Sequence, residues 1–122
     1  MFFTSKEREA IALMGVAMQA ADGKTDSYEI FANNAMFAKI QITQAEIQEA
    51  QAMQIQDAIP ILSAMTNDKK EIVSAYLGAL MVIDGDIAAA EVALWRFVST
   101  MCLFPLMEIS EAAEKFRKFL EQ

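Results

Sequence analysis

The chain has 122 residues, 55% of them apolar and 22% charged, with a formal charge of -7, a single cysteine and no histidine. This length supports one hydrophobic core, so a single domain spanning residues 1–122 is expected. The negative charge disfavours nucleic acid and anionic lipid surfaces as partners, and the lone Cys102 with no histidine excludes an intrachain disulfide, a Cys/His zinc site and histidine-based acid-base chemistry.

Four glycines and two prolines interrupt a chain rich in alanine, methionine, glutamate and glutamine, which favours helices over strands. Taken in order, Thr4 with Glu7 forms a capping box that opens a helix over 5–21. Asp26 with Glu29 opens one over 27–40, and Thr43 with Glu46 one over 44–54. A helix over 57–66 follows Asp57 and tolerates Pro60 in its first turn. Asp68 with Glu71 opens the helix 69–83, and helices over 88–102 and 110–121 complete the chain. Ile11 to Ala21 and Val73 to Ile83 are apolar on nearly every face, which makes them central helices enclosed by the others. Gly15 and Gly78 either let these two approach closely or are tolerated surface positions. Phe116, Phe119 and Leu120 form a stripe opposite Glu114, Lys115, Arg117 and Lys118, so the last helix seals the core from outside. The nine methionines, Tyr76 and Trp95 are expected to fill the core, and the alternative is an adaptable partner groove, which needs several of them exposed together.

The apolar stretch Ile11 to Ala21 ends in Met18-Gln19-Ala20-Ala21, which loosely resembles a signal-peptidase site. The leading segment balances Lys6 and Arg8 with Glu7 and Glu9 and so lacks a positive n-region, and the stretch has a counterpart in mid-chain. A cytoplasmic protein with no membrane insertion is expected.

That counterpart belongs to an internal repeat. Asp22-Gly23 followed by Glu29 matches Asp84-Gly85 followed by Glu91, each pair of equivalent residues standing 62 positions apart. The fold expected is therefore all-α, a compact bundle of about seven helices with an internal pseudo-twofold helix-loop-helix repeat.

The two repeated loops concentrate six carboxylates, Asp22, Asp26 and Glu29 in the first and Asp84, Asp86 and Glu91 in the second. Capping and the helix dipole account for Glu29 and Glu91 in a first turn. Asp22 and Asp84 stand at the carboxyl ends of helices, where the dipole penalises an anion. A forward Asx-turn offsets that penalty, and so does a bound divalent cation (Ca²⁺, Mg²⁺ or Mn²⁺) with hard oxygen ligands. The eight-residue span from Asp22 to Glu29 is too short for an EF-hand, and Lys24 sets the first loop apart from the second.

Ala20-Ala21-Asp22-Gly23, the glutamate seven residues after each Asp, and the repeated Asp-Gly/Glu signature together resemble the TerB-like family, which includes a tellurite-resistance protein and a co-chaperone domain, over a span from Ile11 to the final helix. The resemblance implies a seven-helix domain with internal pseudo-symmetry, acidic metal ligands and work in stress-response or membrane-linked machinery. The family's acidic positions fall on Asp22, Glu29, Asp84 and Glu91, with a further acid matching Asp26. The second copy departs by placing Ala88 at that offset and Asp86 earlier, which sets a symmetric second site in doubt.

The function expected is a non-enzymatic binding or scaffold module for a protein partner, with the cation as an adjunct. An enzyme using loop carboxylates with a metal, and a purely structural homo-oligomer subunit, are the alternatives. Cys102 lies on an apolar helical stretch with no histidine partner, which favours a buried structural thiol over a nucleophile.

Overall fold

A computed structural model describes residues 2–21, 27–82, 87 and 89–122, with the side chains of the second helix described from residue 30 onward. Among these residues the chain forms α1 (Ser5–Ala20), α2 (Ser27–Lys39), α3 (Gln44–Ala52), α4 (Ile55–Ser63), α5 (Asn67–Val82), α6 (Ala89–Met101) and α7 (Ile109–Leu120), and no strand. No helix among them is long and apolar enough to cross a membrane.

Capping chemistry sets most of the boundaries. The Glu7 backbone N–H donates to Thr4 Oγ1 at 3.2 Å while Glu7 Oε1 accepts from the Thr4 N–H at 2.8 Å. Thr43 and Glu46 repeat the arrangement at 3.2 and 2.9 Å. Two expectations are corrected. The helix α5 starts at Asn67 because Thr66 Oγ1, rather than Asp68, accepts from an N–H of the first turn, that of Lys69 at 3.4 Å. The helix α4 starts at Ile55, where Asp57 Oδ2 accepts from the Gln54 N–H at 2.9 Å, so Pro60 falls in the second turn and offers no N–H to the carbonyl of Gln56.

Both helices expected at the centre lie there. Every residue of α5 from Val73 to Met81 is buried, as are Ala10, Ile11, Ala12, Met14, Gly15 and Met18 of α1. Met14, Met18, Met36, Met65 and Met81 fill this core, while Met101 is exposed. Gly15 and Gly78 are packing residues: a Cβ at Gly15 would overlap the hydroxyl of Tyr76 from α5, so Gly15 does bring α1 and α5 together. At Gly78 a Cβ would lie 2.8 Å from Trp95 Cζ2 and 2.7 Å from Ala112 Cβ, so that glycine admits α6 and α7 instead. Ala112, Phe116 and Phe119 bury the inner face of α7 along α5.

The repeat extends to backbone detail. The helices α1 and α5 each have 16 residues, and α2 and α6 each have 13. After α2, the Ile42 N–H donates to Phe37 O at 2.8 Å around Gln41, and after α6 the Phe104 N–H donates to Ser99 O at 2.9 Å around Leu103. Gln41 and Leu103 have φ of 62° and 58°. Beyond these turns the halves diverge. Both α3 and α4 pack on α1, whereas α7 alone follows an irregular stretch and lies along α5.

Candidate functional site

The acidic loops meet the described structure at one carboxylate. Glu91 lies in the first turn of α6 and is 1% exposed, at the helix end where the dipole favours an anion. Glu29 occupies the equivalent place in the first turn of α2, with its side chain outside the described part. Asp22, Asp26, Asp84 and Asp86 lie outside the described residues. Among the described residues no three acidic or cysteine side chains gather around a point that would hold a metal ion.

Elsewhere, several ionisable groups are structural. The Cys102 thiol is buried, lies 3.9 Å from Ile59 O and is pushed by burial up to about 11, so it stays protonated near neutral pH. The Tyr76 hydroxyl donates to Asn33 Oδ1, and Asn33 Nδ2 donates to Gln19 Oε1 at 2.7 Å, which ties α5, α2 and α1 together in the interior. Burial raises the Tyr76 phenol far above its ordinary value, so it remains a donor. The Arg8 guanidinium grips both oxygens of Glu46 at 2.6 to 3.0 Å, and Ser5 Oγ donates to the same carboxylate at 2.5 Å.

A concave surface lies between α6 and the segment that joins it to α7. It has a volume of about 820 Å³ and is walled by Val92, Trp95, Phe104, Pro105, Met107 and Ile109. Trp95 is fixed in this wall because its indole N–H donates to Ser74 O at 3.1 Å and its ring fills the space above Gly78. Leu103 and Leu106 also line the groove and are 71% and 97% exposed. Arg96, Glu108 and Glu111 supply its charged groups.

Sequence reasoning passed over this groove, although the repeat carries its signal. Leu103, Pro105 and Leu106 occupy the positions that Gln41, Thr43 and Gln44 hold in the first half. The same offset places Phe97 opposite Ala35 and Met101 opposite Lys39, and both Phe97 and Met101 are exposed on α6. At these positions the second half carries Phe97, Met101, Leu103, Pro105 and Leu106 where the first carries Ala35, Lys39, Gln41, Thr43 and Gln44.

The fold and these surfaces define an all-α helical bundle with a duplicated helical hairpin. No family model and no curated protein matches the chain. Among solved structures it is similar to a protein of unknown function from Porphyromonas gingivalis W83, at 32% identity over 97% of this chain and 98% of that one, with a TM-score of 0.81. The chain belongs to the same family as that protein.

Proposed function

We propose that this chain is a non-enzymatic protein-binding module that uses the groove between α6 and α7 as its docking surface. The observation that carries the reading is the one-sided change between the repeats, in which Gln41, Thr43 and Gln44 correspond to Leu103, Pro105 and Leu106, with both leucines exposed. Leaving such apolar side chains in water has no benefit for folding, whereas a partner that covers them gains roughly 25 cal/mol per Å² of apolar area removed from water. The resemblance to TerB-like proteins adds a stress-response role in the cytoplasm as the setting. Affinity capture from the native host with wild-type protein and with Leu106→Glu tests the reading: a specific protein retained by the first and lost by the second supports it, and identical capture by both sinks it.

A second element of the proposal concerns the acidic loops. Glu91 brings a buried carboxylate to the head of α6, five residues after Asp86 in sequence. Oxygen ligands of this kind suit Ca²⁺, Mg²⁺ or Mn²⁺. Calorimetric titration with each ion, on wild-type protein and on Asp22→Asn and Asp84→Asn, decides it. Saturable heat lost in the variants assigns the loops to a cation; a flat wild-type titration removes the cation from the proposal.

A further inference from the structure

We infer that the groove between α6 and α7 docks a second copy of this chain, in a twofold-symmetric dimer in which Leu106 of each copy enters the groove of the other. The inference rests on reading this groove as a protein-docking surface and goes on to say what occupies it.

Three features of the face favour a second copy as its occupant. The first is shape. Leu106 is 97% exposed and lines a groove of about 820 Å³. A projection and a recess on one patch fit a copy of that patch, as an isologous interface requires.

The second is charge. Arg96 and Glu108 both line the groove, both are exposed, and neither has an ion partner within 4.0 Å among the described residues. On α7, by contrast, Lys115, Arg117 and Lys118 all have carboxylates nearby. A face carrying one unmatched cation and one unmatched anion satisfies itself when copied, with Arg96 of each protomer meeting Glu108 of the other. A basic partner would leave Arg96 unmatched and an acidic one would leave Glu108 unmatched. Two chains of charge -7 repel each other at long range, and the Arg96–Glu108 pairing sets opposite charges against each other at the point of contact.

The third is rigidity. The groove wall is held by the Trp95 to Ser74 hydrogen bond and by Trp95 packed over Gly78, so the surface is formed before association and little ordering is needed on docking.

The test is sedimentation equilibrium over a range of loading concentrations on wild-type protein, Leu106→Glu, Arg96→Glu, Glu108→Arg and the doubly swapped Arg96→Glu/Glu108→Arg. Circular dichroism and a thermal melt establish that each variant is folded, which the exposure of all three side chains makes the expected result. Wild-type protein should dimerise and Leu106→Glu should remain monomeric. Each single charge change should weaken association about tenfold, with the double swap restoring most of the loss. Monomeric wild-type protein at every concentration overturns the inference. So does a dimer indifferent to Leu106→Glu and to the charge changes, since that dimer would use another face. In either case host-protein capture that still depends on Leu106 keeps the groove as a docking surface for a different protein, and loss of that dependence as well removes the broader reading.

Discussion

Lys69 donates to Glu7 across 2.8 Å, and the two residues occupy equivalent positions of the repeat, 62 apart. Equivalent residues touch each other only near the pseudo-axis that relates the halves, so that axis passes between the first turns of α1 and α5. Further along, Gly15 receives Tyr76 at nearly the same separation, so the two central helices run in the same direction side by side. The ammonium of Lys69 also lies 5.5 Å from the Phe3 ring centroid, which shields the pair from one side.

Removing this pair should loosen the two halves. Glu7→Gln loses the charge-assisted bond to Lys69, and a cost of about 1–2 kcal/mol is expected from urea denaturation. The exchanged double variant Glu7→Lys/Lys69→Glu should recover only part of that loss, because Glu7 also accepts from the Thr4 N–H and a lysine cannot. Full recovery would mean that the capping box adds nothing to the stability of α1.

Stability should also fall in acid through Glu46. Hydrogen bonding from Arg8 outweighs the opposing effect of burial and, with Ser5 and the Thr43 N–H, holds this carboxyl down from 4.5 to about 2. A carboxyl lowered in the folded state binds its proton more readily when unfolded, so its stabilisation is complete above the ordinary carboxylate range and is lost as pH falls through 4.5 towards 2. Glu7 is lowered as well: burial opposes the shift, and the bonds from Lys69 and Thr4 outweigh it, so it adds in the same direction. Chemical denaturation between pH 6 and pH 2 should give a steep decline for wild-type protein and a shallower one for Glu46→Gln, which starts lower. Parallel curves would show that the Arg8–Glu46 pair is not coupled to folding.

Gly15→Ala tests the closest approach in the core. The added methyl group collides with the Tyr76 hydroxyl, which is buried and donates to Asn33, so the ring must shift and the Tyr76–Asn33–Gln19 chain must break. A loss of about 2–3 kcal/mol is expected, combining overpacking with a broken interior hydrogen bond. Tyr76→Phe removes the colliding oxygen at a cost of about 1–2 kcal/mol of its own. In the Gly15→Ala/Tyr76→Phe variant the two losses should therefore sum to less than their separate values. Strict additivity in a double-mutant cycle would locate the glycine's role elsewhere.

Much of this architecture is legible in the sequence because it rests on local chemistry. The Thr4 and Thr43 boxes fix their helices through atoms three residues apart, and the constant offset from Asp22 to Asp84 exposes the duplication before any coordinates. The misplaced starts have a local cause too. Thr66 competes with Asp68 for the cap of α5, and Gln54 caps α4 through its backbone alone, which spacing rules do not reveal. The roles of Gly15 and Gly78 depend on Tyr76, Trp95 and Ala112, which arrive from elsewhere in the chain, so no local rule distinguishes them from surface glycines. For the acidic loops, sequence supplies six candidate residues, and the described structure adds the burial of Glu91. The groove was hidden by its setting in a connecting segment, since exposure is a tertiary property. Aligning Leu103 and Leu106 with Gln41 and Gln44 shows the change from polar to apolar residues, and the structure shows that these leucines are exposed.

Leu103 carries the last prediction. It holds φ of 58° at the residue where the turn after α6 reverses, a conformation in which the Cβ of an L-residue crowds the following carbonyl and where glycine is at ease. Its 71% exposure means that its side chain returns little packing energy to the monomer. Replacing it with glycine relieves about 1–2 kcal/mol of backbone crowding and gives back part of that through the greater freedom of the unfolded chain, so Leu103→Gly should stabilise the protein by about 0.5–1 kcal/mol. Gln41→Gly at the equivalent turn, φ 62°, should gain a similar amount. The two variants should part company in association: Leu103 lines the groove and Gln41 is not among its lining residues, so only Leu103→Gly should weaken docking there. A leucine kept in an unfavourable backbone conformation at an exposed site then has its explanation in what the side chain does at the interface. Denaturation midpoints and sedimentation equilibrium on the same two variants measure both halves of this statement, and equal association by wild-type protein and Leu103→Gly would detach the strained leucine from docking.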